Sequence, residues 1–479
     1  LSRRPGDFTG GQIGALGGGN GTWGAWANLD VRLGANTGLR LSDEHFQTDG
    51  YDVYQEDGSE AWGGNDAEVR SRSGRLVYDG TGGEWDFFAG YADREYGALD
   101  YYAPYPSQER TRSLFVSALN RRRVSDRWTI EPRVFYRQHR DEFVLFRDDP
   151  DAYTNDHLTD KGGAELRGIA DLGNRHALAM SVEGVYEEID SQGLRGGVWG
   201  EALGHHIRKR LSGSFEVDRN DDRFRWQLGG RGDFRPDEAP WFTGTGAVSY
   251  ATNDVVTLRA SAGNVYRLPT FTDLYYEDPA NVGNPDLDPE KAWTWDAGFN
   301  LAGGPWFGSA SYFERYETDR IEWVWADDIS KWQVMNIAEG TVRGVETQVG
   351  WRHARGHTVT VGWSWLENDT KVDEDFIGKY TLLVPRHLLA AQGTAILPWN
   401  LALTGTGRYV EHNDDTDAFN NELVDFRYYF VLDARLDWTG PKGWFASVTG
   451  TNLLDRVYGE VPGVQMPGQL FTGALGKRF

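Results

Sequence analysis

A two-residue period constrains this chain more than any other feature. Across residues 22–33 the odd positions are Trp23, Ala25, Ala27, Leu29, Val31 and Leu33, with Gly24, Asn28, Asp30 and Arg32 between them. Successive side chains of a strand point to opposite faces, so this segment is a strand with one apolar face. The pattern returns at Trp128, Ile130, Val134 and Tyr136; at Leu178, Met180, Val182 and Tyr186; and at Phe224, Trp226 and Leu228. Later it recurs at Trp293, Trp295, Ala297, Phe299 and Leu301, at Val359, Val361, Trp363 and Trp365, and at Tyr428, Phe430, Leu432, Leu436 and Trp438. It ends in residues 469–479, where Phe471, Gly473, Leu475 and Phe479 share one face and Thr472, Ala474, Gly476 and Arg478 the other. Helical periodicity is sustained nowhere, which makes the fold class all-β.

A strand that ends the chain leaves an open edge, and closing the sheet into a barrel removes that edge. The positions between the apolar ones carry Arg, Asp, Glu and Gln, which a packed sandwich cannot bury without partners. A water-filled interior accepts them. No run of about 18 apolar residues exists, so a membrane crossing would need strands, each of only ~9–11 residues. The 20 Trp, 22 Tyr and 23 Phe are enough for aromatic girdles at two interfaces. Short links such as residues 171–174 and 398–400 alternate with long polar stretches at 141–162, 267–291 and 411–425, as in an up-and-down meander. Spread over the ~22 strands of the large plugged transporters, 479 residues leave about 22 per strand with its connection. The expectation is a 22-stranded antiparallel transmembrane β-barrel.

Charge and composition exclude other classes. The net charge of −23, from 72 acids and 49 bases, argues against a nucleic-acid partner. With no cysteine, neither disulfides nor thiolate metal sites are available. The sequence holds no G-x-S-x-G, no H-E-x-x-H and no P-loop, and no carboxylate pair is set apart as acid and base, so no catalytic residue is assigned. His205 and His206 are adjacent on a strand and point apart, which keeps them from sharing an ion.

Residues 264–290 read N-V-Y-R-L-P-T-F-T-D-L-Y-Y and then G-N-P-D-L-D-P-E. This resembles the central signature of TonB-dependent outer-membrane receptors, carried here by Tyr266, Arg267, Pro269, Gly283, Asn284, Pro285, Pro289 and Glu290. Further resemblances follow in family order: Asn336, Gly340, Gly344, Val345 and Glu346; Pro385, Arg386 and His387; Asn452, Leu453, Leu454, Asp455 and Tyr458; and Met466, Pro467, Gly468 and Gln469, with Gln where the family has Arg. The terminal Phe479 resembles the residue that closes bacterial outer-membrane barrels. Ser2, Arg3, Arg4 and Pro5 are similar to the end of the plug, which implies residues 1–7 as the plug–barrel junction and 8–479 as the barrel. The plug, and with it the contact to a TonB-type coupling protein, belongs upstream of Leu1 in this reading.

The resemblance implies a barrel in the outer-membrane lipid that performs no covalent chemistry and takes up a scarce, bulky small-molecule ligand. Asp52, Asp66 and Asp100 are similar in order and spacing to the outer-loop aspartates of cobalamin receptors, which bind calcium; Gly64-Asn65-Asp66 stands where those have Asp-x-Asp, and Glu56, Asp57 or Glu60 are candidates to compensate. The ligand expected first is therefore cobalamin, and second a ferric siderophore. The same aspartates also read as solvated loop acids, as do Asp148, Asp149, Asp151, Asp414, Asp415 and Asp417. Pro269, Pro285 and Pro289 read as marks of where pairing stops. Arg267 and Glu290 either pair within the lumen or touch substrate. Two rival readings are a plugless passive porin and a secreted β-propeller acting on carbohydrate. A propeller needs a blade repeat of ~40–50 residues, which the sequence lacks.

Overall fold

The computed structural model describes residues 4–7, 9–54, 60–61, 64–101, 105–236, 238–326, 330–337, 339–370, 384–412, 426–461 and 464–479. One antiparallel sheet of 22 strands runs from Gly10–Gly18 to Leu470–Arg478 and closes on itself. At the seam the Phe479 amide donates to the Gly11 carbonyl at 3.0 Å, and the Gly11 amide returns a bond of 2.8 Å. The final strand is therefore paired on both sides, with Trp444–Thr451 as its other neighbour. No helix is long and apolar enough to cross a membrane, which says nothing against crossing by strands.

The register sorts the side chains as the alternation requires. Trp293, Trp295 and Phe299 stand on the outer face, Trp293 at 64% exposure, while their neighbour Asp296 turns inward to Ser261 and Arg259. Inward rows carry ion pairs such as Arg40–Asp30 at 3.0 Å, Arg121–Glu131 at 2.6 Å and Arg231–Asp233 at 3.0 Å. Outward rows carry aromatics at two levels: Tyr78, Trp85, Trp128 and Trp438 near the short turns, and Tyr91, Tyr136, Tyr186 and Trp363 nearer the long connections. An apolar exterior around a polar interior is the arrangement a barrel in lipid requires.

The long polar stretch expected over 141–162 is mostly strand. Trp128–Val144 and Tyr153–Gly173 continue the ladder until only residues 145–152 connect them. Above the upper aromatics their outward positions turn polar and pair across strands, as in the Arg140–Asp156 pair, and the preceding strands Gly83–Gly97 and Gln108–Arg123 do the same with Arg110–Asp93 at 2.9 Å. Alternation of apolar with polar therefore stops while the strand goes on. The tallest pair, His176–Arg195 and Val198–Asn220, is joined by Gly196 and Gly197 at φ 56° and 81°, a left-handed two-residue turn suited to glycine.

Candidate functional site

The long connections meet at one end of the barrel, and two of them build a small folded cap. After Val256–Arg267 the chain leaves the sheet at Pro269, and Thr270 caps a single helical turn, Phe271–Tyr275, through reciprocal bonds with Asp273. The chain then doubles back: the Gly283 amide donates to the Tyr276 carbonyl at 2.6 Å and the Asn284 amide to the Asp273 carbonyl at 2.9 Å. Asn281–Val282 pairs in parallel with Lys331–Asn336, which pairs in turn with Ile321–Ala326 of the next long connection. Val334 and Val324 are fully buried in this cap, and Val334 packs with Leu287, Ile321, Leu274 and Trp323. Among the described residues a second such cluster sets Tyr458 of the last connection against Val410, Tyr429 and Val431 at the ends of two barrel strands; a barrel with a polar lumen has no central core.

The signature residues hold this cap together. Arg267 and Glu290, left open between pairing and substrate contact, pair with each other across the strands, and the second Glu290 oxygen accepts from the Ile321 amide at 2.8 Å. Asn336 accepts from the Asp288 amide at 2.8 Å and donates to the Asp288 and Asp319 carbonyls at 2.9 and 2.7 Å. Tyr266 stacks on Trp241. Pro269, Pro285 and Pro289 lie between the two barrel strands, in keeping with their role as ends of pairing.

The last long connection, residues 452–469, is locked in the same manner. Asn452 donates to the Arg456 and Pro467 carbonyls at 2.8 and 3.0 Å and accepts from the Arg456 amide at 2.9 Å, while Asp455 accepts from the Gln469 amide at 2.8 Å. Tyr458 is buried against Tyr429, ring centroids 4.6 Å apart. From the first long connection the Tyr51 hydroxyl donates to the Gln465 carbonyl at 2.6 Å, which ties the two sides of the seam together.

The three aspartates stand in neighbouring connections with different surroundings. Asp66 accepts two bonds from Arg147, at 2.5 and 2.7 Å, and these hold its carboxyl below the usual range. Asp100 sits at φ 60° and burial pushes its carboxyl up; Asp52 is exposed. Asn65, beside the Gly64 that stands in place of an acid, bonds both the amide and the carbonyl of Tyr51 at 2.9 Å. Among the described residues no three His, Asp or Glu side chains converge as a metal site. Glu56, Asp57, Asp414, Asp415 and Asp417 lie outside the described residues, as do Ser2 and Arg3, and nothing is described of the Glu60 side chain.

Below the cap, the inner wall holds a groove of about 530 Å³ lined by residues that include Lys161, Glu187, Arg208, Arg210, Arg231, Asp233 and Arg267. Most of these charges are paired: Arg210 with Glu183 at 3.1 Å, Arg231 with Asp233, and Lys161 with Glu187 at 3.5 Å. Arg208 instead donates to the Pro269 carbonyl at 2.9 Å and lies 4.7 Å from the centre of the Phe271 ring. Beside it His206 stacks on Tyr275 at 3.6 Å, while His205 faces the other way, onto Glu188. Tyr276 meets the hydroxyl of Tyr153 at 2.8 Å, so the cap rests on the tall strands at several points. The sequence reading did not single out this groove. The signal available was Arg208 and Arg210 on one strand face, two residues apart.

Residues 61–453 match the family model described as TonB dependent receptor-like, beta-barrel. Over 107 residues, 22% of this chain, the sequence is 27% identical to the vitamin B12 transporter BtuB of Photobacterium profundum, and the match spans 17% of that relative's length. The copper transporter OprC has the same fold at a TM-score of 0.80 and 17% identity, covering 100% of this chain and 81% of that one. The ferric enterobactin receptor PfeA from Pseudomonas aeruginosa follows at 0.79 and 15%, with the same coverage. A family match through residues 61–453, on a sheet closed at 22 strands, means that the chain belongs to the TonB-dependent receptor β-barrel family of the bacterial outer membrane.

Proposed function

We propose that this barrel is the membrane part of a receptor that captures a scarce, bulky chelate at its long-loop end and passes it inward when a TonB-type protein acts on a plug. It performs no covalent step. The observation that carries this reading is the cap itself: loops locked into a small folded unit over a polar, charge-lined interior are built to hold a ligand. A passive porin has no need of such a roof.

Of the two ligands expected, we propose the ferric siderophore. Cobalamin rests on calcium at Asp52, Asp66 and Asp100, and Asp66 would first have to exchange Arg147 for the ion. Deletion of the gene in its host, followed by uptake of labelled iron chelates and labelled cobalamin with and without a protonophore, tests the proposal. Energy-dependent uptake of iron chelate lost on deletion is expected. Uptake that persists with the protonophore points to the porin, and loss of cobalamin uptake alone restores the calcium reading.

A further inference from the structure

The groove beneath the cap has a charge pattern that the rest of the molecule does not prepare for. The chain carries a net −23, yet this wall brings together Lys161, Arg208, Arg210, Arg231 and Arg267, with Glu187 and Asp233 as the acids of the lining. Glu183 and Glu290, just outside it, complete the partners of Arg210 and Arg267. Arg208 is left over: among the described residues no carboxylate pairs with it, and its contacts are a carbonyl oxygen and an aromatic face. Arg235 adds to the positive field. Its side chain is 7% exposed and its charge acts on that of Arg208, although Glu238 pairs with it and offsets most of that field.

We propose that this groove seats the ligand through an oxyanion held by Arg208, so that the receptor selects negatively charged chelates over neutral ones; the proposal rests on the uptake reading above. A guanidinium in a confined site forms charge-assisted, bidentate bonds to carboxylate- or catecholate-type oxygens, stronger than its bond to the neutral Pro269 carbonyl. An arriving oxyanion competes with that carbonyl for Arg208. Phe271 fixes the plane of the guanidinium, and the arginines around it are already held by carboxylates, which leaves Arg208 as the cation of the groove that can take the oxyanion. The volume lies within the ~300–1,000 Å³ of ordinary ligand pockets. A neutral ligand offers Arg208 only the kind of bond that the Pro269 carbonyl already makes.

The test uses the receptor as its gene encodes it, purified in detergent and titrated by tryptophan fluorescence. The probes are a ferric tris-catecholate, ferric citrate, a neutral ferric hydroxamate and cyanocobalamin. At least one anionic probe is expected to bind about 100-fold tighter than either neutral one. Arg208→Met should weaken that binding about 10- to 100-fold and Arg208→Lys less, with both variants running as folded barrels on unheated gels. Tightest binding by a neutral probe, or anionic binding untouched in a folded Arg208→Met protein, overturns the proposal while leaving the receptor reading intact. Binding of no probe, together with unchanged iron uptake in the deletion strain, overturns both.

Discussion

Gly283, at the mouth of this barrel, has no room for one added methyl group. A Cβ at that position would lie 2.9 Å from the carbonyl carbon of Leu274 and the amide nitrogens of Tyr275 and Tyr276, all of them backbone. The neighbours cannot rotate away, so Gly283→Ala should cost about 1–3 kcal/mol of local stability, as overpacking does. We expect faster proteolytic nicking within residues 268–289 while the barrel still resists denaturation on unheated gels; unchanged nicking rejects this account of the signature glycine. Asn452 is the counterpart in the last connection. It is 3% exposed, and Asn452→Ala strands three backbone groups that it now satisfies. The cost should be about 1–3 kcal/mol, read as a lower thermal midpoint. Sequence alone marked both positions. Their work as locks on backbone was not legible, because it depends on where the chain returns after a loop.

Between elements, the connections brace one another, and the Asp66–Arg147 pair joins two of them. Asp66 has a folded pKa below its unfolded value of 3.8. Its contribution is therefore fully present above that value and is lost as pH falls through the lowered one. With both partners about one-third exposed, at 33% and 31%, the pair contributes about 0.5–1 kcal/mol. Amide exchange in residues 49–54 and 145–152 should quicken as pH drops into this acid range, and Arg147→Met should show the quickened rate at neutral pH. Exchange that is independent of pH in the parent would show that the pair carries no load. If calcium takes Asp66, the Arg147→Met protein should bind the ion more tightly than the parent in a calorimetric titration; equal affinity removes Arg147 as the competitor.

For the whole molecule, the governing fact is that one face of each strand meets lipid and the other water. Val182 points outward at 57% exposure, while its neighbour Ser181 turns inward and bonds Ser214 at 2.8 Å. Val182→Arg should cost about 2–4 kcal/mol in a bilayer, the penalty for an arginine near the midplane. Ser181→Arg should cost much less. Urea unfolding in phospholipid vesicles measures both, and a reversed order would mean that the barrel has been read inside out.

The count of strands came from length set against the large plugged transporters, and the place of the central signature from the family resemblance; pattern was enough to settle the all-β class and the direction each apolar face takes. These follow from local alternation, which needs no knowledge of distant neighbours. The same pattern did not say where the tall strands stop, since polar residues above the lipid continue a ladder as well as they fill a loop. Nor did it say that Arg267 and Glu290 pair with each other, that Asp66 is held by Arg147, or that Arg208 is left without a carboxylate. Those outcomes depend on which charges from separate strands and loops come within a few ångströms, and only the closed barrel with its folded cap sets those distances.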